Sequence, residues 1–249
     1  MTSNMTLKLG WLYPDLMNTY GDRGNVICLK KRCEWRNIDL EIIELSCGFN
    51  KDNLEKLDLL FMGGAQDQQQ QIVAVDLFKK KKSLKSVIEN GIPGLFICGA
   101  YQFFGKYYKE ADGSIIKGLG LLDLYTENPG FNIKRLIGDI AIDTKFGKLF
   151  GFENHGGRTY LGENISSLGK VLSGFGNNGK DKTEGAMYKN SICSYLHGPM
   201  LPKNPRIADH LIKTALEKKY NKKITLSTLD NLFDENARKT IAKRLSIAI

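Results

Sequence analysis

Between residues 7 and 104 the chain alternates short apolar runs with helix-forming segments, and this alternation constrains the fold more than any other feature. Leu7 to Tyr13, Leu40 to Leu45, Leu57 to Met62 and Leu95 to Ile97 read as buried strands. Gly24 to Arg36 reads as a helix, and so does a long segment from about Asp67 to Glu89, stopped by Asn90-Gly91 and Pro93. Asp52 to Lys56 reads as a short helical turn. Strands separated by helices cannot pair through tight hairpins. They pair in parallel, which predicts an α/β fold with a doubly wound, mostly parallel sheet flanked by helices. Sites on such sheets lie at the carboxyl ends of strands. Here those ends carry Gly63-Gly64 and Cys98.

Cys98 stands where the strand Leu95 to Ile97 meets small residues that open a helix. That is the layout of a nucleophile elbow, with a thiol in place of the serine of many hydrolases. The sharp turn would hold the sulfur at the sheet edge, where helix N-terminal amides favour a thiolate. The small residues that follow would let a backbone N–H approach an oxyanion. A buried cysteine closing a core strand has the same local sequence, so both readings stand at this point.

From Tyr107 to Tyr195 glycine is frequent, and short β-rich runs alternate with turns: Ile137–Ile142, Lys148–Glu153, Gly169–Leu172, Ala186–Tyr188 and Ile192–Leu196. These read as hairpins added to the sheet. Two amphipathic helices close the chain, one with the stripe Ile207, Leu211, Ile212, Ala215 and Leu216, the other with Phe233, Ala237, Ile241 and Leu245. No linker, repeat or low-complexity tract divides the 249 residues, which predicts a single domain over 1–249, with a core of about 6–220 and a helical extension over 221–249.

Composition narrows the function classes. No apolar run approaches the roughly 18 residues of a membrane span, and Met1 to Lys8 lacks the order of a signal peptide. The five cysteines (28, 33, 47, 98 and 193) form an odd set without CxxC spacing, which argues against a disulfide framework and against a metal site. A cytoplasmic chain with reduced thiols is expected. The net charge of +9 comes mostly from scattered lysines, and the block Lys79 to Lys82 is expected to cover a solvated helix face, so no nucleic-acid binding is expected.

A thiol nucleophile needs a base, and the chain has three histidines. His197 follows an apolar strand-like run and is well placed to reach the crevice. His155 lies in a polar, glycine-rich loop, and His210 on the polar side of a helix. Gly174-Phe-Gly-Asn-Asn-Gly179, followed by Lys180, nearly fits two phosphate-binding patterns. Both need a helix next, whereas polar, turn-like residues follow. A hairpin turn is expected, and no ATP site is recognisable.

With Gly63-Gly64, Cys98-Gly-Ala-Tyr-Gln102 and His197 in order, the chain resembles class I glutamine amidotransferases. Gly151-Phe-Glu-Asn-His-Gly-Gly-Arg158-Thr159, Gly174-Phe-Gly-Asn-Asn178 and Tyr195-Leu-His-Gly-Pro-Met-Leu-Pro-Lys-Asn204 narrow the resemblance to the cobyric-acid-synthase-like branch and, within it, to glutaminase subunits of lipid II isoglutaminyl synthases. The resemblance covers residues from about 6 to 220. It implies hydrolysis of L-glutamine through a thioester on Cys98, with His197 moving the proton. Gly64 and Gly99 would supply oxyanion N–H groups, and Gln102 would line the substrate site. Arg135 matches a family arginine that holds substrate, although a surface loop cation would read the same. No cofactor is implied for this chain. ATP and Mg would belong to a MurT-like Mur ligase partner in a heterodimer, which would reach lipid II and form D-isoglutamine at the inner face of the membrane of a Gram-positive bacterium. Other acceptors, such as a corrinoid carboxylate, and a non-catalytic binding module are the alternatives.

Two positions depart from the pattern. Ala100 replaces the usual second glycine after the nucleophile, which requires a negative φ there. Pro199 stands where class I triads carry a glutamate, two residues after the histidine. The expectation that follows is an orienting acid supplied by the partner subunit.

Overall fold

The computed structural model describes residues 5–248, so the N-terminal expectation rests in part on residues that lie outside those described. Strand β1 (Thr6–Leu12) leads through a loop to α1 (Arg23–Glu34), then to β2 (Asp39–Leu45), a 3-10 turn (Lys51–Lys56) and β3 (Leu59–Met62). Helices α2 (Asp67–Lys79) and α3 (Lys81–Glu89) precede β4 (Gly94–Ile97), and α4 (Gly99–Phe104) follows it. Next come β5 (Tyr107–Lys109), β6 (Ile115–Lys117), β7 (Leu124–Glu127), β8 (Leu136–Thr144), β9 (Gly147–His155) and β10 (Arg158–Leu161). The chain closes with β11 (Gly169–Ser173), β12 (Thr183–Glu184), β13 (Ala186–Tyr188), β14 (Ser191–Ser194), α5 (Met200–Lys203), α6 (Pro205–Tyr220) and α7 (Leu232–Arg244).

The main sheet runs β13-β14-β4-β3-β1-β2, parallel throughout except for the edge pair β13–β14. Every residue of β3, β4 and β14 is buried, as expected of parallel strands covered on both faces. The step from β1 to β2 moves toward one edge and the step from β3 to β4 toward the other. Right-handed crossovers then place α1 on one face and α2–α3 on the opposite face. Strand order reverses beside β1, so the crevice outside the carboxyl ends of β1, β3, β4 and β14 is where a ligand site belongs. Two further sheets, β10-β7-β5-β6 and β12-β11-β8-β9, extend the second half of the chain.

Three expectations need correction. The long helix is two, broken at Lys80, which leaves helical geometry with ψ near 2°. Lys80 is also buried rather than solvated: its ammonium pairs with Asp76 at 2.6 Å and lies 4.4 Å from the Phe49 ring centre. Pairing and the ring face compensate the charge that burial would otherwise penalise. In α7 the expected apolar stripe holds only toward its C-terminal end: Ile241 and Leu245 pack, partly buried, against Ala141 and Phe150, whereas Phe233 is 87% exposed, Ala237 is exposed, and the buried positions are Arg238 and Ala242. Arg238 takes the core position by donating to the carbonyls of Lys203 and Lys148 and to Asn204 Oδ1 while stacking over Phe150. Among the described residues, no helix is long and apolar enough to cross a membrane.

Candidate active site

Cys98 sits between β4 and α4 with φ 53° and ψ −104°, a region that L-residues other than glycine rarely adopt. The strain marks the elbow foreseen from sequence. It is held by a hydrogen bond from the Cys98 N–H to the Ser194 carbonyl at the end of β14 and by the one from the Gln102 N–H to the Cys98 carbonyl. Ala100 lies inside α4 with a negative φ, so its methyl group is accommodated.

His197 lies just past β14. A two-hydrogen-bond bridge to Phe152 of β9 fixes its backbone (2.7 and 3.1 Å), and the side chain is fully buried. A Cβ added at Gly64 would meet His197 Cε1 at 3.0 Å and Cys98 Cβ at 3.1 Å, so the thiol and the imidazole converge over a glycine that leaves them room. Among the described residues, His197 Nε2 has no N or O partner. Burial opposes charge on the imidazole, but Cys98 and then Asp22 outweigh it and push its pKa up to about 10.

Asp22 corrects the expectation of an acid from the partner. Its Oδ1 lies 3.3 Å from His197 Nδ1, and both side chains are fully buried. Local sequence explains how it gets there. Pro199 packs directly on Gly24 of α1, where any Cβ would overlap the proline ring, and the Leu201 N–H donates to Asn25 Oδ1. The segment after His197 is therefore clamped to the start of α1, and the carboxylate comes from Asp22, the residue just before that helix, instead. The other oxygen, Asp22 Oδ2, accepts the Gly64 N–H at 2.7 Å. That bond corrects a second expectation: the Gly64 N–H is engaged and does not face an oxyanion. The Ala65 nitrogen does approach Gly99, since a Cβ on Gly99 would meet it at 3.2 Å. This places the backbone N–H of Ala65 beside the uncapped first turn of α4.

A cavity of about 460 Å³ opens from Cys98 and is lined by Tyr20, Gln70, Gln102, Arg135, Asn154 and His155 among others. Gln102 and Arg135 both line the cavity onto which the thiol opens. Arg135 stands at the exposed rim, donating to Asn154 Oδ1 (2.9 Å) and to the Asn154 carbonyl (3.0 Å). Arg158 bonds the carbonyls of Gly156 and Lys134, both at 2.7 Å, and so ties the two segments that meet at Arg135. Tyr20, unforeseen from sequence, stands edge-on to His197 with ring centres 5.0 Å apart.

His155 is not in a loop but ends β9. It is buried, stacked on Tyr195 with ring centres 3.7 Å apart, and its Nδ1 bonds the Gly157 carbonyl. Burial lowers its pKa despite Glu153 nearby. His210 is half-buried on α6 against Phe146, away from the thiol. Gly174–Gly179 joins antiparallel strands β11 and β12 with no helix following, as expected. Its Asn177 accepts from Tyr101 of α4, and Glu153 accepts the Phe175 and Gly176 N–H groups, so the motif props the elbow helix from below.

A buried imidazole held by a carboxylate beside a strained thiol is the constellation of nucleophilic acyl transfer. The chain belongs to the family described as the CobB/CobQ-like glutamine amidotransferase domain, which matches residues 8–205. Among curated relatives, the lipid II isoglutaminyl synthase (glutamine-hydrolyzing) subunit GatD of Staphylococcus aureus is 47% identical over 206 residues, 82% of each chain. Its Streptococcus pneumoniae counterpart is 42% identical over 233 residues, 92% of this chain and 88% of that one. A cobyric acid synthase of Listeria innocua is 28% identical over 70% of this chain but only 35% of its own length. The crystal structure of a glutamine amidotransferase superposes with a TM-score of 0.58 at 17% identity, covering 83% of this chain and 98% of that one, a likeness of fold.

Proposed function

We propose that the chain is the glutamine-hydrolysing subunit of a lipid II isoglutaminyl synthase. The Cys98 thiolate attacks the carboxamide carbon of L-glutamine. The oxyanion that forms is met by the N–H groups of Gly99 and Ala65, each such donor being worth about 3 kcal/mol. The His197 imidazolium gives its Nε2 proton to the departing nitrogen, ammonia leaves, and a thioester remains on Cys98. His197 then takes a proton from water as it attacks the thioester, which releases glutamate and restores the thiolate–imidazolium pair. Asp22 keeps the imidazole oriented through Nδ1. Arg135 offers a guanidinium to the substrate α-carboxylate.

The observation that carries this reading is the convergence of Cys98, His197 and Asp22, with the thiol opening on one cavity and the imidazole and carboxylate buried behind it. The relatives that match most of this chain, named as glutamine-hydrolysing subunits of that synthase, support the acceptor assignment. The cobyric acid synthases favour a corrinoid acceptor less, because the chain spans about a third of their length. The ammonia would serve a MurT-like Mur ligase partner in a heterodimer, which would use ATP and Mg to convert the D-glutamate α-carboxylate of the lipid II stem to D-isoglutamine. That chemistry would take place at the inner face of the membrane.

Ammonia release from L-glutamine tests the proposal on the chain co-purified with the ligase partner. Cys98→Ser and His197→Ala are expected to lower kcat by about 1,000-fold or more. Turnover that persists in both variants would refute it.

A further inference from the structure

Gln70 lies in the first turn of α2, lines the cavity, and is only 3% exposed. Its Nε2 donates to the Ala65 carbonyl at 2.9 Å and to Gln102 Oε1 at 3.3 Å. A carbonyl can only accept, so the Gln70 amide is held with its nitrogen toward Ala65. Gln102 is locked in series, because its Nε2 donates to Tyr195 Oη (3.2 Å), which is itself 2.7 Å from Thr159 Oγ1. The chain of bonds leaves one atom without a role: Gln70 Oε1 is buried and meets no donor among the described residues. Native proteins rarely leave a buried acceptor unpaired unless a ligand or water completes it.

We propose that Gln70 Oε1 accepts a hydrogen bond from the α-ammonium group of the substrate, so that Gln70 selects free glutamine over primary amides that lack an α-amine. The inference deepens the glutaminase reading and rests on it. Glutamine offers two N–H sources. The carboxamide nitrogen must face His197, which is reached across Gly64, whereas Gln70 is reached across Gly99, where a Cβ would meet its Nε2 at 3.0 Å. Arg135 suits the α-carboxylate and repels an ammonium group. The α-ammonium is the donor left over, and the Gln70 oxygen is the acceptor left over.

The test compares L-glutamine with glutaramate, which keeps the carboxamide and the carboxylate but has no α-amine. Both kcat/KM values are read from ammonia release by the complex, or from competition with glutamine where hydrolysis is too slow to follow. The wild type is expected to prefer glutamine. Gln70→Met, of similar length, is expected to lower the glutamine-to-glutaramate ratio about 30-fold, the size of one lost hydrogen bond to a charged group. The loss should come mainly through the KM for glutamine. Gln70→Asn, which withdraws the oxygen by one methylene, should move the ratio in the same direction. Because the ratio is taken within one preparation, a reduced folded fraction cancels. An unchanged ratio in both variants, or a wild type indifferent to the α-amine, would overturn the inference and leave the glutaminase reading intact. A wild-type complex that releases no ammonia from glutamine would overturn both.

Discussion

At the residue scale, Asp22 uses its two oxygens for different partners, one on the His197 imidazole and one on the Gly64 N–H. The charge on His197 is sustained mainly by Cys98 and secondarily by Asp22, against the opposition of burial. Removing the Cys98 side chain leaves burial less opposed, so the sign is downward. In Cys98→Ala the His197 titration midpoint should fall from about 10, and in Asp22→Asn it should fall by less, both followed through the ring protons by NMR. A midpoint that stays put in Cys98→Ala would mean that thiol and imidazole are not paired. The thiol and the histidine were legible in the sequence because the elbow and the strand before His197 are local patterns. Asp22 was not, because 175 residues separate it from His197 and the contacts that bring them together, Pro199 on Gly24 and Leu201 on Asn25, form only on folding.

At the scale of elements, the central parallel strands β3 and β4 declared themselves through continuous apolar runs, each buried on both faces. The sheet β10-β7-β5-β6 did not, since its strands span only three or four residues and none of them is buried throughout. Its outer face is a stack of Tyr107, Tyr125 and Tyr160, with successive ring centres 5.3 and 5.2 Å apart, a cross-strand pattern that no single segment carries. The break at Lys80 was hidden for a similar reason, since its partners Asp76 and Phe49 come together only on folding. Strand β10 begins with Arg158, which binds the carbonyl of Lys134, the residue before Arg135. Arg158→Ala should therefore raise the KM for glutamine about 10-fold while kcat stays within about twofold, because the segment that presents Arg135 loosens while the thiol is untouched. A fall in kcat at constant KM would place Arg158 in the chemistry instead of in positioning.

Across the whole molecule, the C-terminal helix α7 returns to the second half of the fold through Arg238 and through Ala242, which is buried against Ala141 and Phe150. Arg238 joins it to the carbonyls of Lys148 and Lys203 and covers Phe150, while Phe233 stands in solvent. Arg238→Ala should speed hydrogen exchange of the α7 amides about 10-fold or more and leave the amides of β3 and β4 unchanged, because local opening and global unfolding are separate events. Uniform acceleration would show instead that α7 and the sheet unfold together. The placement of the orienting acid has a consequence for recognising such enzymes. A search template that demands a carboxylate at a fixed spacing beyond the histidine would discard this chain as a degenerate copy. A template that looks between the first strand and the first helix would keep it, and would re-admit other chains set aside for the same gap.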